Sequence, residues 1–249
     1  QRMNGDAALQ RLWYGPRWVS LPLWPLAWLF RSVVAIRSFL YRVGVLRAQR
    51  VPVPVIVVGN ITVGGTGKTP VAGWLARGLA QRGYRVGVVL RGYGGSASQG
   101  VSVVTAGSDP REVGDEAVVH ALSGPHVVVT GADRVAAARR AVAEGAEIVV
   151  CDDGLQHLRL ARDYEVAVVD AARGLGNGQL LPAGPLREPP GRLESVDAVV
   201  FTQRGVPTQS ALTVRRPLTV TARLSLGDAV NVRTGERRLL DSFHGRAVH

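Results

Sequence analysis

The chain has 249 residues, 46% of them hydrophobic, enough for one large α/β domain with a smaller appendage. A formal charge of +11 favours an acidic partner, and charge alone does not choose among nucleic acid, an anionic membrane and a phosphorylated substrate. The single cysteine, Cys151, excludes an internal disulfide and a cysteine-based zinc cluster and suits a reducing compartment.

Residues 18–30 are apolar, rich in tryptophan and uncharged, but the run is too short to span a bilayer as a helix, and Pro22 and Pro25 interrupt it. Arg31, Arg37, Arg42, Arg47 and Arg50 then punctuate further apolar positions. A basic helix with aromatic anchors at one end suits the plane of an anionic membrane surface. The alternative is an amphipathic helix packed on the body of the protein. A cleavable signal peptide is disfavoured because the positive charges follow the apolar run and no small-residue cleavage site is evident.

Val55-Ile56-Val57-Val58 predicts a buried strand, residues 70–82 a helix stopped by Gly83, and residues 86–90 and 101–105 two further strands. A short helix is expected from Gly114 to Leu122, a strand at 127–130, a helix at 134–144, and strands at 148–151, 166–170 and 198–202. Strands alternating with helices predict a mostly parallel sheet with right-handed crossovers and ligands at the carboxyl ends of its strands. After about residue 206 the pattern changes: 219–226, 230–232 and 238–240 read as β-structure without helices, the start of a second domain.

The chemistry begins after the first strand, in Gly59-Asn60-Ile61-Thr62-Val63-Gly64-Gly65-Thr66-Gly67-Lys68-Thr69-Pro70. A glycine-rich turn between strand and helix lets backbone N–H groups reach phosphate oxygens, and residues Thr62 to Thr69 are therefore the candidate nucleotide cradle. The strict motif has glycine where Thr62 stands; Gly64, Gly65 and Gly67 carry the turn. Lys68 would reach the β- and γ-phosphates and Thr69 would offer its hydroxyl to Mg²⁺. Asp152 and Asp153 follow the strand at 148–151, where the acidic Mg²⁺ partner of such a cradle is expected, and Gln156 and His157 are placed to touch metal water or phosphate. Asp115, beside Glu116 at a helix start, is either a helix cap or a proton acceptor. Arg134 and Arg187 are cations able to hold phosphate charge, though either alone would usually be a solvated surface arginine.

Taken together these segments resemble the tetraacyldisaccharide 4'-kinases, membrane-associated enzymes that phosphorylate the lipid A precursor. The resemblance rests on 54–70, Arg91-Gly92-Tyr93-Gly94, Gly114-Asp115-Glu116, Asp133-Arg134, Asp152-Asp153-Gly154-Leu155-Gln156-His157 and 180–189, in family order. It implies a P-loop NTPase-like α/β fold, ATP and Mg²⁺, and attack of a disaccharide lipid's 4'-hydroxyl on the γ-phosphate. By position it implies Lys68, Asp115, Asp152 and Asp153 as catalytic, Thr69, Asp152, Asp153 and Gln156 at the metal, and Arg91, Tyr93, Glu116, Arg134, His157 and Arg187 near substrate or phosphate. The implied layout is a membrane-associated helical segment at 1–50, a P-loop kinase domain at 51–205 and an incomplete β-containing domain at 206–249, at the cytoplasmic face of the bacterial inner membrane. One departure is that the family carries a later Asp-His-His segment whose histidine partners the catalytic aspartate. His244 and His249 do not match it, so a shortened chain with impaired transfer is expected. The competing reading is a membrane-surface P-loop switch ATPase, which needs no acceptor pocket. No nucleic-acid partner is expected, since no groove-reading or aromatic-interleaved basic motif accompanies the charge.

Overall fold

The run at 55–58 is strand β1 (Val55–Gly59), inside an eight-stranded sheet. The computed structural model describes residues 9–93, 95, 100–204, 212, 214–225, 227–230, 234 and 236–243. The other strands are β2 (Val86–Leu90), β3 (Val101–Val104), β4 (Val127–Gly131), β5 (Ile148–Asp152), β6 (Tyr164–Asp170), β7 (Ala198–Arg204) and β8 (Leu218–Leu224), in the spatial order β3-β4-β2-β5-β1-β6-β7-β8. All neighbours run parallel except β3, which returns antiparallel along β4 at the edge.

The strands are apolar without alternation because both faces of the sheet are covered. Val57, Val89, Val149 and Cys151 point to one side, against Ala137, Ala138 and Ala141 of α5 (Arg134–Ala143). Val58, Val88 and Val150 point to the other, against Val71, Ala72 and Ala76 of α2 (Lys68–Ala80) and Ala117 of α4 (Asp115–Ser123). A short turn of helix, α3 (Pro110–Val113), capped by the Asp109 side chain, leads into α4. Each fully buried valine in these layers contributes about 1.5–3 kcal/mol.

Two sequence expectations change. Residues 219–226 were expected to open a second domain, but β8 lies parallel beside β7, from Ala198↔Leu218 to Arg204↔Leu224, and so extends the main sheet past the expected boundary at 206. Only a small ribbon, β9 (Ala229–Val230) against β10 (Arg237–Arg238), stands apart among the described residues. Residues 205–211 and the histidines at 244 and 249 lie outside the described residues.

The second change concerns the N-terminal apolar segment. A 3₁₀ turn (Arg17–Leu23) takes in Pro22, and α1 (Trp24–Arg42) takes Pro25 in its first turn, where no backbone N–H is required. The prolines therefore do not interrupt it, and Trp18–Arg42, 25 residues whose most apolar 18-residue stretch has a mean hydropathy of 1.5, is long and apolar enough to cross a membrane by length and composition. Ala27 is buried and Phe30 packs on the core, whereas Leu26, Trp28, Leu29, Val33, Ile36 and Phe39 are all more than half exposed. Arg31 lies over the Trp28 ring at 5.4 Å. Just before α1 the chain is fastened to the body, with Trp13 Nε1 donating to the Pro182 carbonyl (3.1 Å) and buried Asn177 donating to the Leu12 and Trp13 carbonyls.

Candidate active site

The carboxyl ends of β1, β2, β4 and β5 open on one cavity of about 880 Å³. Its walls carry Gly64, Gly65 and Lys68 from the cradle, Arg91 and Tyr93 after β2, Asp115 and Glu116 at the start of α4, Arg134 at the start of α5, Asp152, Asp153, Gln156 and His157 after β5, and Arg187. Arg37 of α1 also reaches it and donates to the Gln156 carbonyl at 2.7 Å. That contact was not anticipated, because no single arginine of the N-terminal segment was assigned to the site.

The cradle is held from behind. The Asn60 amide donates to the Gly64 carbonyl and to Thr66 Oγ1, both at 3.2 Å, and Thr202 Oγ1 on β7 donates to the Thr66 carbonyl at 2.7 Å. Gly67 has φ of 83°, a backbone that favours glycine, and a Cβ there would lie 2.6 Å from Leu224 Cδ1 on β8, so any side chain would have to displace the end of that leucine. Thr62, expected to touch nucleotide, is buried and bridges Leu186, and Val63 N–H donates to the Pro185 carbonyl at 2.8 Å. The Val63 N–H, and the hydroxyl and carbonyl of buried Thr66, are thus paired with protein and brace the cradle. Thr69 is half-buried on the first turn of α2.

The two aspartates after β5 divide. Asp152 is buried at 1% exposure, its Oδ2 3.1 Å from Nε2 of equally buried His120, and its Oδ1 has no partner among the described residues. Asp153, with φ of 56°, turns to the cavity, where one oxygen lies 3.4 Å from both Lys68 Nζ and Arg187 Nη1. Gln156 was expected at the metal, but its side-chain Oε1 faces Arg187 at 3.4 Å and its side-chain amide nitrogen donates to the Asn60 carbonyl (3.0 Å) and to Glu188 (2.7 Å). Its polar atoms are spent on protein, which makes it a bracket between cradle and Arg187. The bracket continues through Glu188 to Arg192 (3.1 Å) and from Arg192 to Glu165 (2.6 Å).

Arg134 departs from the solvated-surface alternative: it is 3% exposed and donates to the Gly131 carbonyl, while Asp133 caps α5 through the Val135 and Ala136 N–H groups. Burial, and then the neighbouring Arg134 charge, push His157 down to about 4. Burial and the charge of Asp152 raise Glu116 above the usual carboxylate range. Burial pushes the Cys151 thiol up to about 11, so it is a core side chain and not a nucleophile. Tyr93 is 81% exposed at the cavity mouth; Gly94 beside it lies outside the described residues. The residue that sequence reasoning passed over is His120, although its position one turn after Glu116 on the same helix face was legible.

The profile of the Tetraacyldisaccharide-1-P 4'-kinase family matches residues 19–249. The chain belongs to this family. Among curated tetraacyldisaccharide 4'-kinases, that of Alkalilimnicola ehrlichii is 53% identical over 76% of this chain and 57% of its own length, and that of Mannheimia succiniciproducens is 43% identical over 94% of this chain and 69% of its own. A crystal structure of the kinase LpxK from Aquifex aeolicus in complex with ATP superposes with a TM-score of 0.74 at 30% identity, covering 92% of this chain and 72% of that one. The chain thus spans between about half and 70% of the length of the curated 4'-kinases it matches. The α/β cradle fold expected from the sequence is that of the LpxK structure.

Proposed function

We propose that this chain carries the phosphoryl-transfer site of a kinase that moves the γ-phosphoryl group of ATP to the 4'-hydroxyl of a tetraacyldisaccharide 1-phosphate, the lipid A precursor. The observation that carries the reading is the convergence of the cradle, the acidic end of β5, the carboxylates of α4 and Arg37 of the apolar helix on one cavity. A switch ATPase has no use for a second set of groups opposite the cradle.

Gly64 and Gly65 present backbone N–H groups for phosphate oxygens at the positive end of α2. Lys68, paired here with Asp153, exchanges that carboxylate for the transferring phosphoryl group. The residues fit Mg²⁺: Asp115, Glu116, Asp152 and Asp153 line the same cavity, the charges of the three aspartates help to raise Glu116, and Oδ1 of Asp152 is a buried acceptor with no partner among the described residues. Thr69, Asp152 and Asp153 would hold the ion, which would supply charge neutralisation for the phosphates. Asp115, exposed at the start of α4, is the candidate base for the acceptor hydroxyl. Arg91, Arg134 and Arg187 supply positive charge for phosphate, Tyr93 stands at the mouth, and His157, neutral at pH 7, is a hydrogen-bonding group and not a cation.

The exposed apolar face of α1 supports attachment to a membrane, with Arg residues for anionic headgroups, and the proposed location is the cytoplasmic face of the inner membrane. The test is transfer of labelled phosphate from ATP to tetraacyldisaccharide 1-phosphate in mixed micelles. Label in the lipid is the expected result, reduced about 100- to 1000-fold by Lys68→Ala. Label released only as free phosphate, at a rate indifferent to the lipid, would replace the kinase by a switch.

A further inference from the structure

His120 is among the largest fully buried side chains of the protein, and it is polar. It lies on α4 one turn after Glu116, on the same face, so it sits beneath the carboxylates that the start of this helix offers to the cavity. Its Nε2 is 3.1 Å from Oδ2 of Asp152 at the end of β5. A carboxylate oxygen accepts, which assigns the ring proton to Nε2, and Nδ1 has no partner among the described residues. Across the ring lies α2: a methyl group added at Gly73 would be in ordinary van der Waals contact with Cε1 and Nδ1, 3.6 Å away, so the imidazole packs beside this helix. One side chain therefore touches the cradle helix, the acidic strand end and the helix of Asp115 and Glu116.

A buried hydrogen bond to a single oxygen of a carboxylate fixes the rotation of that carboxylate and leaves the other oxygen available. Asp152 shows this division, one oxygen on His120 and one without a partner among the described residues, in a residue that lines the cavity. We propose that His120 is a positioning residue, which donates through Nε2 to Asp152 and thereby sets the orientation of that carboxylate toward the metal of the nucleotide complex. The inference rests on the Mg²⁺–nucleotide reading of the cavity. It predicts that His120 contributes to the metal-dependent part of nucleotide binding and not to the metal-independent part.

The test is calorimetric titration of the chain with a non-hydrolysable ATP analogue, once with saturating Mg²⁺ and once with EDTA, with thermal unfolding recorded for each variant. His120→Ala is expected to weaken binding in Mg²⁺ by about 10- to 100-fold, the effect typical of removing a group that orients a metal ligand, and to leave binding in EDTA within about two-fold. His120→Gln, whose amide nitrogen overlays Nε2, is expected to restore most of the Mg²⁺-dependent affinity; His120→Asn, whose amide overlays Nδ1, is not. The Gln and Asn variants carry the test if the alanine variant unfolds. Equal affinity of all variants in Mg²⁺, equal losses in Mg²⁺ and EDTA, or equal losses for Gln and Asn would each overturn the positioning role while leaving the nucleotide reading intact. Failure of the unmodified chain to bind the analogue at all would overturn the reading beneath it.

Discussion

The sheet and α1 are both strongly apolar, yet they use apolar residues in opposite ways. Valines of β1, β2 and β5 point alternately to two covered faces, and almost none of their surface meets water. In α1 the side facing the body is covered through Ala27 and Phe30, while Trp28, Leu29, Val33 and Ile36 stay more than half exposed. The comparison separates two meanings of hydrophobicity: in the sheet it is consumed by folding, and on α1 it is left over after folding and marks a surface that seeks another apolar phase.

The largest expected effect comes from removing that remainder. Replacing Leu26, Trp28, Leu29 and Ile36 together by Ser takes away several large buried-on-binding side chains, and partition onto anionic vesicles should fall at least about 100-fold. Unfolding in urea should shift little, because these residues contribute to no core contact that folding needs. If vesicle binding survives, the exposed face is not the membrane surface; if the protein unfolds, the face is not left over and the comparison fails.

The next effect belongs to the sheet side. Gly67→Val forces a β-branched residue into φ of 83° and drives its Cβ against Leu224, 2.6 Å away even for a single methyl. The expected cost is about 2–4 kcal/mol of stability, or an equivalent displacement of the cradle, read as a lower urea midpoint together with weakened nucleotide binding. Vesicle binding should not change. An unchanged midpoint and unchanged nucleotide affinity would mean that the cradle is not braced by β8.

How much of this was legible in the sequence follows the same division. The strands and helices of the body were readable because continuous β-branched runs and helical apolar spacing have few other uses, and the cradle residues because glycine, lysine and threonine at that spacing answer one chemical need. Bracing was not readable: nothing in Thr202 or Leu224 announces that they stand behind Thr66 and Gly67, since parallel pairing of β7 and β8 is a long-range contact. The same reason hid the place of β8 in the main sheet. The prolines of the N-terminal segment misled because their cost depends on whether they fall at the first turn of a helix or inside it. Of Asp152 and Asp153, sequence gave adjacency and not direction, and the direction is set by His120 on one side and by Lys68 with Arg187 on the other.

The smallest expected effect tests the charge balance of the cavity against the neutrality of the core around it. His157 is held down to about 4 by burial first and by Arg134 next, with smaller pushes from Arg37 and Arg91 and an opposing pull from Asp153. In the unfolded chain the imidazole titrates near its ordinary value of about 6.5. Above that value both states are neutral and His157 makes no pH-dependent contribution. Between about 6.5 and 4 the unfolded chain binds a proton that the folded chain refuses, so stability is lost as pH falls through this window. Urea unfolding from pH 7.5 to 4.5 should show that decline, and His157→Gln should flatten it by up to about one proton in slope. His126, lowered by its own burial and by His120, remains in both proteins, so the difference between the two slopes isolates His157. Bound nucleotide adds negative charge beside the arginines and should shrink that difference, because phosphate offsets the cations that keep the imidazole neutral. Identical slopes with and without His157 would mean that neither burial nor the arginines keep the imidazole neutral in the folded protein.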